Sequence, residues 1–355
     1  MSSGLVPQSV IGWDVGGAHL KAVHISAQGR VLAAKQVYCP LWRGVNELEQ
    51  AVDEVLQELN AATHVVTMTG ELADIFQNRH AGVLQISQIL SQRLARSNHD
   101  VKVKFFAASP NQAHVSLDAV AQHSADIASM NWLASVQYVA KNVQQAIFID
   151  IGSTTTDIAM VSDGKPRIRG FNDAARMQSD ELVYTGVVRT PLMALAQKIP
   201  FDGQLVNVAA EHFATTADVY TLTGDLMPSD NMAETADGAE KSMEASARRI
   251  ARMIGWDAED APLTSWKNLA YAFKQAQLHL IKQALLTQFS LQGVAQNLQI
   301  VGAGAGEFLA KELAAQMGLK YVAASDFIHA ESDGIKNMAK VCFPAFAIAA
   351  LEVSS

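Results

Sequence analysis

One pattern of residues occurs twice in this chain, and the repeat limits the folds that the chain can adopt. The segment IGWDVGGAHLKAV (residues 11–23) is an apolar run that reaches Asp14, turns at a pair of glycines and resumes. The segment IFIDIGSTTTDIAMV (residues 147–161) repeats this order around Asp150 and Gly152. An apolar run that turns at glycine and resumes is typical of a β-hairpin. The repeat predicts a duplicated α/β architecture in which each half opens with such a hairpin and a cleft lies between the halves.

The two hairpins divide the chain into two expected domains, residues 1–142 and 143–334. Helical spacing of apolar residues predicts that much of 205–290 is helical, and we expect this more polar stretch to be a substrate-binding insertion. The last apolar helix, within 335–355, is expected to pack back onto the first domain. A further short helix is expected at ELADIF, residues 71–76.

Composition narrows the classes of function. The 355 residues are 49% apolar, the net charge is −8 and no block of basic residues is present. A nucleic-acid or anionic-membrane surface needs clustered lysine and arginine, so neither partner is expected. Cys39 and Cys342 are far apart in sequence and suggest neither zinc nor a disulfide framework, which favours a reducing compartment. No signal peptide or membrane span is predicted, so we expect a cytoplasmic protein.

The glycine-rich hairpin tips have the composition of anion-binding turns. Backbone N–H groups approach an anion closely where no Cβ intervenes. Asp14 and Asp150 cannot bind phosphate themselves but can hold Mg²⁺, which binds phosphate, and Lys21 adds a positive charge. A plain β-turn is an equally good interpretation of the first loop taken alone. The residues expected to face the phosphate groups are Gly16, Gly17, Ala18, His19, Gly152, Ser153, Thr154 and Thr155.

A third glycine-rich segment, VGAGAG, precedes a predicted amphipathic helix late in the chain. Its glycines are Gly302, Gly304 and Gly306. The dinucleotide-binding fingerprint follows the first strand of its unit and has an acid about 20 residues later. Because VGAGAG comes near the end of the chain, we interpret it as a nucleotide-like motif of another kind.

The order of these three segments is similar to that in the superfamily of actin, sugar kinases and heat-shock chaperones, where they are called phosphate 1, phosphate 2 and adenosine motifs. The segments MTGELAD, DAARMQSDELVYTGVVRTPL, EHFATTADVYTLTGDL and TADG resemble hydantoinase/oxoprolinase-related proteins described as tetrahydromethanopterin-linked C1-transfer pathway proteins. Archaeal relatives of that group resemble the methanofuran-biosynthesis synthase. The resemblance implies duplicated actin-like ATPase (ribonuclease H-like) domains with a central cleft.

The resemblance also implies a transferase of methanofuran-type cofactor biosynthesis, serving formaldehyde oxidation in bacteria. Such an enzyme joins the phenol of a γ-glutamyltyramine-like acceptor to an aminomethyl-furan-methyl diphosphate and releases diphosphate. The implied cofactor is diphosphate-bound Mg²⁺; ATP binding and a homodimer are left open. One alternative is an ATP-dependent small-molecule kinase, which shares all three glycine segments. Two others are a nucleotide-binding regulatory protein without chemistry of its own and an ATP-driven amide hydrolase of the oxoprolinase type.

Attack by a phenol, whose pKa is about 10, is helped by a base. Glu71 is the leading candidate because it follows a predicted strand where a helix begins, and helix starts favour carboxylates. Simple support of that helix start is the alternative. Asp157 is a second candidate base or metal ligand, or else a strand residue bonded to its threonine neighbours.

Two polar segments are expected to contact the substrates. In ELVYTGVVRTP, Arg189 could bind a glutamyl carboxylate through two hydrogen bonds or form a structural salt bridge. In FATTADVYTLTGDL, Asp218 could meet an amine or cap a helix. The other candidates in the two segments are Glu181, Tyr184, Thr215 and Thr216.

Overall fold

The apolar pattern of the chain produces two large mixed sheets with helices packed on them. The computed structural model describes residues 9–97, 101–109, 112–291 and 297–354. The strands are β1 (Val10–Val15), β2 (His19–Ile25), β3 (Val31–Tyr38), β4 (Thr63–Met68), β5 (Lys102–Ser109), β6 (Gln112–Val115), β7 (Gln145–Ile151), β8 (Thr156–Ser162), β9 (Lys165–Arg167), β10 (Leu182–Val183), β11 (Lys198–Phe201), β12 (Gln204–Asn207), β13 (Gln299–Ala303) and β14 (Lys320–Ala323). The helices are α1 (Val45–Leu56), α2 (Arg79–Ser97), α3 (Ser124–Ile127), α4 (Asn131–Asn142), α5 (Asp173–Gln178), α6 (Thr216–Thr223), α7 (Met243–Arg252), α8 (Leu263–Ser290), α9 (Glu307–Met317), α10 (Asp333–Val341) and α11 (Phe343–Val353).

The first sheet is built around the first predicted hairpin. Its strand order is β3-β2-β1-β4-β5-β6. β1 pairs antiparallel with β2, so that Asp14 lies opposite Lys21, and parallel with β4, so that Asp14 lies beside Thr67. All six residues of β1 are buried, as expected for a strand with neighbours on both sides. The hairpin tip therefore lies at the carboxyl end of a central strand.

The second sheet repeats this arrangement around the second hairpin. Its strand order is β10-β8-β7-β13-β14. β7 is parallel to β13, and Asp150 lies beside Ala303 in the register of the two strands. Each sheet thus has a central strand with its hairpin partner on one side and a parallel strand on the other. The predicted fold class, duplicated ribonuclease H-like α/β domains, is confirmed.

The described residues form two compact units. The first comprises those of 1–145, 161–173 and 323–355, and the second comprises those of 146–160 and 174–322. The predicted boundaries differ at three places, because 143–145, 161–173 and 323–334 were expected in the second domain. Backbone hydrogen bonds explain the last difference, since Val31 in β3 donates to the His329 carbonyl at 2.8 Å.

Helix α11 packs against β1, β2, β4 and α4 of the first unit. The approach to β1 is close: a Cβ on Gly12 would lie 2.0 Å from the carbonyl oxygen of Ala345. Within the described part of the chain, no single helix combines the length and apolarity of a membrane span; α10 and α11 meet those criteria only together, with a 102° bend between them.

One local prediction was wrong and one hairpin was missed, whereas helices α6, α7 and α8 confirm that much of 205–290 is helical. ELADIF forms only a 3₁₀ turn, Gly70–Leu72, because the chain turns there toward α2, whose Gly82 lies against the Glu71 backbone. The helical region 205–290 is preceded by the β11–β12 hairpin, which the sequence reading missed. The signal was present in the Asp-Gly pair at 202–203, since both residues have positive φ, the pattern of a two-residue hairpin turn.

We predict that Gly12→Ala lowers the free energy of unfolding by about 1–3 kcal/mol, because the added methyl group collides with the backbone of α11. Gly17→Ala is the control: it lies in the same hairpin, and a Cβ there meets nothing within 4 Å. Urea denaturation of the two variants measures the difference, and equal midpoints would contradict this account of the packing.

Candidate anion-binding and catalytic site

The turn 152–155, at the tip of the second hairpin, is held from one side by the main chain of a neighbouring segment. The Gly152 N–H closes the turn by donating to the Thr155 carbonyl at 2.9 Å. The N–H groups of residues 187–189 donate to the carbonyls of Gly152 and Ser153 at N···O distances of 2.9, 3.0 and 3.1 Å. These contacts lie within the second unit, and they fix the orientation of two peptide groups of the turn.

That orientation makes the turn a donor surface. The structure contains no cis peptide bond among the residues it describes. In a trans peptide the C=O and the following N–H point in opposite directions. Because the carbonyls of Gly152 and Ser153 point toward segment 187–189, the N–H groups of Ser153 and Thr154 point away from it. A glycine-led turn with outward N–H groups is suited to an anion.

Asp150 lies directly under the second glycine of VGAGAG. Gly304 has φ +82°, and a Cβ there would be 2.4 Å from Asp150 Oδ1 and 2.3 Å from the Ile151 carbonyl oxygen. The Gly306 N–H donates to that same Ile151 oxygen at 2.8 Å. Asp150 is 9% exposed. The glycine segment is therefore required locally to make room for a nearly buried carboxylate.

The first glycine of VGAGAG has a different role. A Cβ on Gly302 would lie 2.8 Å from the ring of Tyr321 and 3.0 Å from Cβ of Ala310. Gly302 therefore allows α9 and β14 to pack closely on β13. Of the three predicted glycines, Gly304 and Gly306 contact the Asp150–Ile151 segment and Gly302 does not face it.

The first hairpin places a carboxylate and an ammonium side by side. The Nζ atom of Lys21 lies 4.0 Å from Oδ2 of Asp14, and the side-chain amide of Asn131 donates to Oδ1 at 3.4 Å. The Asp14 side chain is 5% exposed. Asn131, the first residue of α4, was missed by the sequence reading because it lies in no glycine motif.

The tip of this hairpin is held in the same manner as the other one. The Leu41 N–H donates to the Gly17 carbonyl at 3.0 Å, and the Cys39 N–H donates to the Ala18 carbonyl at 2.9 Å. The Gly16 N–H closes the turn on the His19 carbonyl at 2.9 Å. His19 is 6% exposed and its ring lies edge-on to Tyr38 of the neighbouring strand β3, while its predicted contact with phosphate stays a prediction.

Glu71 is a buried carboxyl group beside this hairpin tip. It is 1% exposed, its Oε1 atom accepts a hydrogen bond of 2.7 Å from the Ser129 hydroxyl, and its Oε2 atom has no hydrogen-bond partner among the described residues. Burial raises the pKa of Glu71 to about 7. The preceding residue, Gly70, lies against the carbonyls of Val15 and Gly16. The chain thus brings a carboxyl group with a near-neutral pKa next to the first glycine loop.

The turn before α4 connects Glu71 with Asp14. Ser129 and Asn131 are two residues apart; the first donates to Glu71 and the second to Asp14. Ser129 has φ +57°, a left-handed backbone conformation that is uncommon for serine. The sequence carried no recognisable signal for either donor.

Two predicted residues of the second unit, Asp157 and Glu181, accept hydrogen bonds from side chains of the same unit. Asp157 accepts a hydrogen bond of 2.8 Å from Arg176, which is 1% exposed and also donates to the Glu181 carbonyl. The Glu181 carboxylate is 1% exposed and accepts from the Ser179 hydroxyl at 2.7 Å. These contacts show a structural role for both carboxylates; the predictions that Asp157 is a base or metal ligand and that Glu181 binds substrate stay predictions.

The second substrate segment begins α6. The Thr215 N–H donates to Oδ2 of Asp218 at 3.0 Å, and Arg249 Nε donates to Oδ1 at 2.8 Å. Asp218 is 3% exposed and forms a capping box with Thr215, so the alternative role in helix capping is confirmed, and the predicted amine contact stays a prediction. The Thr216 hydroxyl donates to the Gly186 carbonyl at 2.8 Å, which is a contact to the protein rather than to substrate.

Tyr184 and Arg189 are exposed. Tyr184 is 54% exposed at a cavity of about 370 Å³ on the second unit, whose other lining residues include Leu182, Leu195 and Leu280. Arg189 contributes its N–H to the turn 152–155, and its side chain is exposed. The predicted substrate contacts of these two side chains stay predictions.

Metal binding here would rest on few protein ligands. Within residues 9–97, 101–109, 112–291 and 297–354, no group of three or more His, Cys, Asp or Glu side chains is arranged to hold a metal ion. Mg²⁺ commonly uses one or two carboxylates and completes its coordination with water and phosphate oxygens. Asp150, with an oxygen facing the glycine segment, fits that use. The joint clamp of Asp14 and Asp150 stays a prediction.

Comparison with known proteins identifies the family. The model of the hydantoinase/oxoprolinase family matches residues 62–332. The chain belongs to the hydantoinase/oxoprolinase family. One relative of this chain is a protein from Methanocaldococcus jannaschii named (4-{4-[2-(γ-L-glutamylamino)ethyl]phenoxymethyl}furan-2-yl)methanamine synthase. The two proteins are 31% identical over 74% of this chain and 77% of the relative. The protein of the same name from Methanococcus vannielii is 31% identical over 47% of this chain and 75% of its own length. The predicted resemblance to this synthase is confirmed, and it supports a biosynthetic role.

The hydantoinase/oxoprolinase chain is also similar to solved structures. One is a ROK family glucokinase from Streptomyces griseus in complex with glucose and AMPPNP. It is 13% identical, with a TM-score of 0.46 and coverage of 97% of this chain and 98% of the glucokinase.

We predict that Gly304→Ala weakens the binding of Mg²⁺-diphosphate by about tenfold or more, because the methyl group would displace the Asp150 carboxylate. Gly318→Ala is the matched control. Gly304 and Gly318 flank α9 and both have positive φ, so both variants carry a similar backbone strain of roughly 1–2 kcal/mol. A Cβ on Gly318 meets nothing within 4 Å. Calorimetric titration distinguishes them, and equal affinities would contradict the assigned role of Gly304.

Glu71 is expected to make stability depend on pH. The pKa of Glu71 is about 7 in the folded chain, against an ordinary value of 4.5 that applies to the unfolded chain. Between pH 4.5 and 7 the folded state therefore binds more protons than the unfolded state. The stability that this group contributes is therefore lost as pH rises from about 4.5 to 7. Relative to wild type, Glu71→Gln should gain roughly 3 kcal/mol of unfolding free energy over that window. Denaturant titrations at several pH values measure the difference; a constant difference would show that folding does not raise the pKa of Glu71.

Proposed function

We propose that this chain is an aryl-methyl transferase of methanofuran-type cofactor biosynthesis. In the proposed reaction the phenol oxygen of a γ-glutamyltyramine-like acceptor forms a bond to the furfuryl CH₂ of an aminomethyl-furan-methyl diphosphate. The bond from that carbon to the diphosphate oxygen breaks, diphosphate departs with the bonding electrons, and the phenol proton is released. The product has the phenoxymethyl-furan linkage that appears in the names of the two archaeal relatives.

The observation that carries the proposal is the turn 152–155, which follows Asp150 in the chain and whose carbonyls are held by residues 187–189, so that the N–H groups of Ser153 and Thr154 point to the other side. Charge develops on the leaving diphosphate in this reaction, and fixed donors aimed at developing charge lower the barrier. Asp150 would hold the Mg²⁺ that accompanies diphosphate, and the bound ion would neutralise part of its charge. The chain's own contribution is a rigid donor turn that needs no rearrangement during the reaction.

Glu71 is the proposed base. Its carboxyl group has one oxygen fixed by Ser129 and the other without a partner among the described residues, so Oε2 is the atom that would take the phenol proton. A pKa of about 7 leaves a large fraction of the groups ionised at neutral pH, while their basicity exceeds that of an ordinary glutamate. Lys21, close to Asp14, adds positive charge beside the first glycine loop. These roles follow from the surroundings of the two side chains: Glu71 acts only as the base, and Lys21 only supplies positive charge.

We predict that Glu71→Gln lowers kcat by about 10²- to 10⁴-fold, as expected for loss of a general base. The affinity for Mg²⁺-diphosphate should stay within twofold of wild type, because the substituted amide preserves the shape of the side chain and still accepts the Ser129 hydrogen bond. Diphosphate release in the presence of both substrates measures kcat, and calorimetry measures the affinity. A variant with wild-type kcat would exclude Glu71 as the base.

The same assay tests the reaction class. Diphosphate should appear only when both the phenol and the furan diphosphate are present. Transfer of a phosphoryl group from ATP to a small molecule, without ether formation, would instead support the kinase alternative and overturn the proposed transferase.

A further inference from the structure

The donor turn of the second unit depends on the position of one peptide in the neighbouring segment. Gly186 packs directly on the turn: a Cβ there would lie 2.5 Å from the Gly152 oxygen and 2.5 Å from the Thr154 nitrogen. The next three residues, 187–189, donate their N–H groups to the turn. A shift of the Gly186 peptide would therefore move the N–H groups of residues 187–189. Their hydrogen bonds to the turn carbonyls would then break, and the turn would lose its fixed orientation.

A buried glutamine holds that peptide. Gln277 lies in the middle of α8 and is 0% exposed. Its Nε2 group donates to the Gly186 carbonyl and to the Thr185 hydroxyl, both at 2.8 Å. Its Oε1 atom accepts a hydrogen bond from the Tyr220 hydroxyl. Both amide hydrogens and the carbonyl oxygen of Gln277 are thus used inside the unit.

Threonines complete the set of contacts around Gly186. Its carbonyl accepts a second hydrogen bond, of 2.8 Å, from the Thr216 hydroxyl. Its N–H donates to the Thr190 hydroxyl at 2.8 Å. A buried polar network of this kind is stable when every member has a partner, and it then fixes one geometry. Gln277 and Thr216 reach the network from α8 and α6, so two helices determine the position of one peptide.

We infer that Gln277 is a positioning residue for the anion-binding turn 152–155. It holds the Gly186 peptide, segment 187–189 then holds the turn carbonyls, and the N–H groups of Ser153 and Thr154 face the anion. The inference rests on the proposed function in taking diphosphate as that anion. Anion affinity then depends on Gln277, a residue that is far from the turn in sequence and does not contact the anion.

Gln288→Leu provides a matched control for Gln277→Leu. Gln288 lies on the same helix, is 1% exposed and donates to the Ser179 carbonyl. Each substitution removes one buried amide from α8, so both variants should lose thermal stability. Only Gln277→Leu should weaken Mg²⁺-diphosphate binding, by about tenfold in calorimetry. Affinities within twofold of each other would overturn the inference.

Hydrogen exchange tests the inference without any ligand. The amides of residues 187–189 should exchange at least tenfold faster in Gln277→Leu than in Gln288→Leu. Tyr220→Phe, which removes only the hydroxyl that binds Gln277, should accelerate the same amides to a smaller extent, and it serves if Gln277→Leu does not fold. Unchanged exchange in these variants would refute the positioning role. Failure of the wild type to bind Mg²⁺-diphosphate, with exchange altered as expected, would instead refute the proposed function.

Discussion

The site in each unit depends on hydrogen bonds that hold the carbonyls of a glycine turn from behind. In the second unit the donors are the N–H groups of residues 187–189, and in the first they are those of Cys39 and Leu41. Because a trans peptide separates its C=O and N–H, each such bond directs the following N–H toward the opposite side. A turn without net charge thereby gains fixed donors. The repeated hairpin is a framework for this arrangement, and the supporting segments differ between the units.

The carboxyl groups near these turns differ in their surroundings, and the surroundings determine what each can do. Asp14 has the ammonium group of Lys21 and the amide donor of Asn131 beside it. Burial of Glu71 disfavours its ionisation and raises its pKa to about 7, against the opposing effect of the Ser129 hydroxyl donor. Asp157 and Asp218 are paired with the buried arginines Arg176 and Arg249. The carboxyl groups therefore fall into two sets: those that form structural ion pairs with arginine and those that are candidates for function.

The interior of the second unit contains apolar packing and also buried polar side chains that fix the positions of loops. Most of the buried positions of α8 are apolar, yet Gln277 and Gln288 are buried in it. Burying an amide is unfavourable unless its hydrogen-bonding groups find partners. Here the partners are main-chain carbonyls at Gly186 and Ser179, so the helix fixes loop positions as well as filling the core. The relationship to the two archaeal synthases gives this organisation a chemical context.

The sequence by itself determined the repeated hairpins, the strand–glycine–helix segment and the family, because apolar periodicity and glycine turns are local properties of the chain. It also identified Asp14 and Asp150 as carboxyls next to those turns, and Glu71 as a carboxyl that directly follows a strand. Only the tertiary structure decided which polar side chains form hydrogen bonds within the protein. Ser129 reaches Glu71 across 58 positions and Gln277 reaches Gly186 across 91. Hydrogen bonds over such separations form only when packed helices and sheets bring the partners within about 3 Å, and no local pattern of residues encodes that meeting.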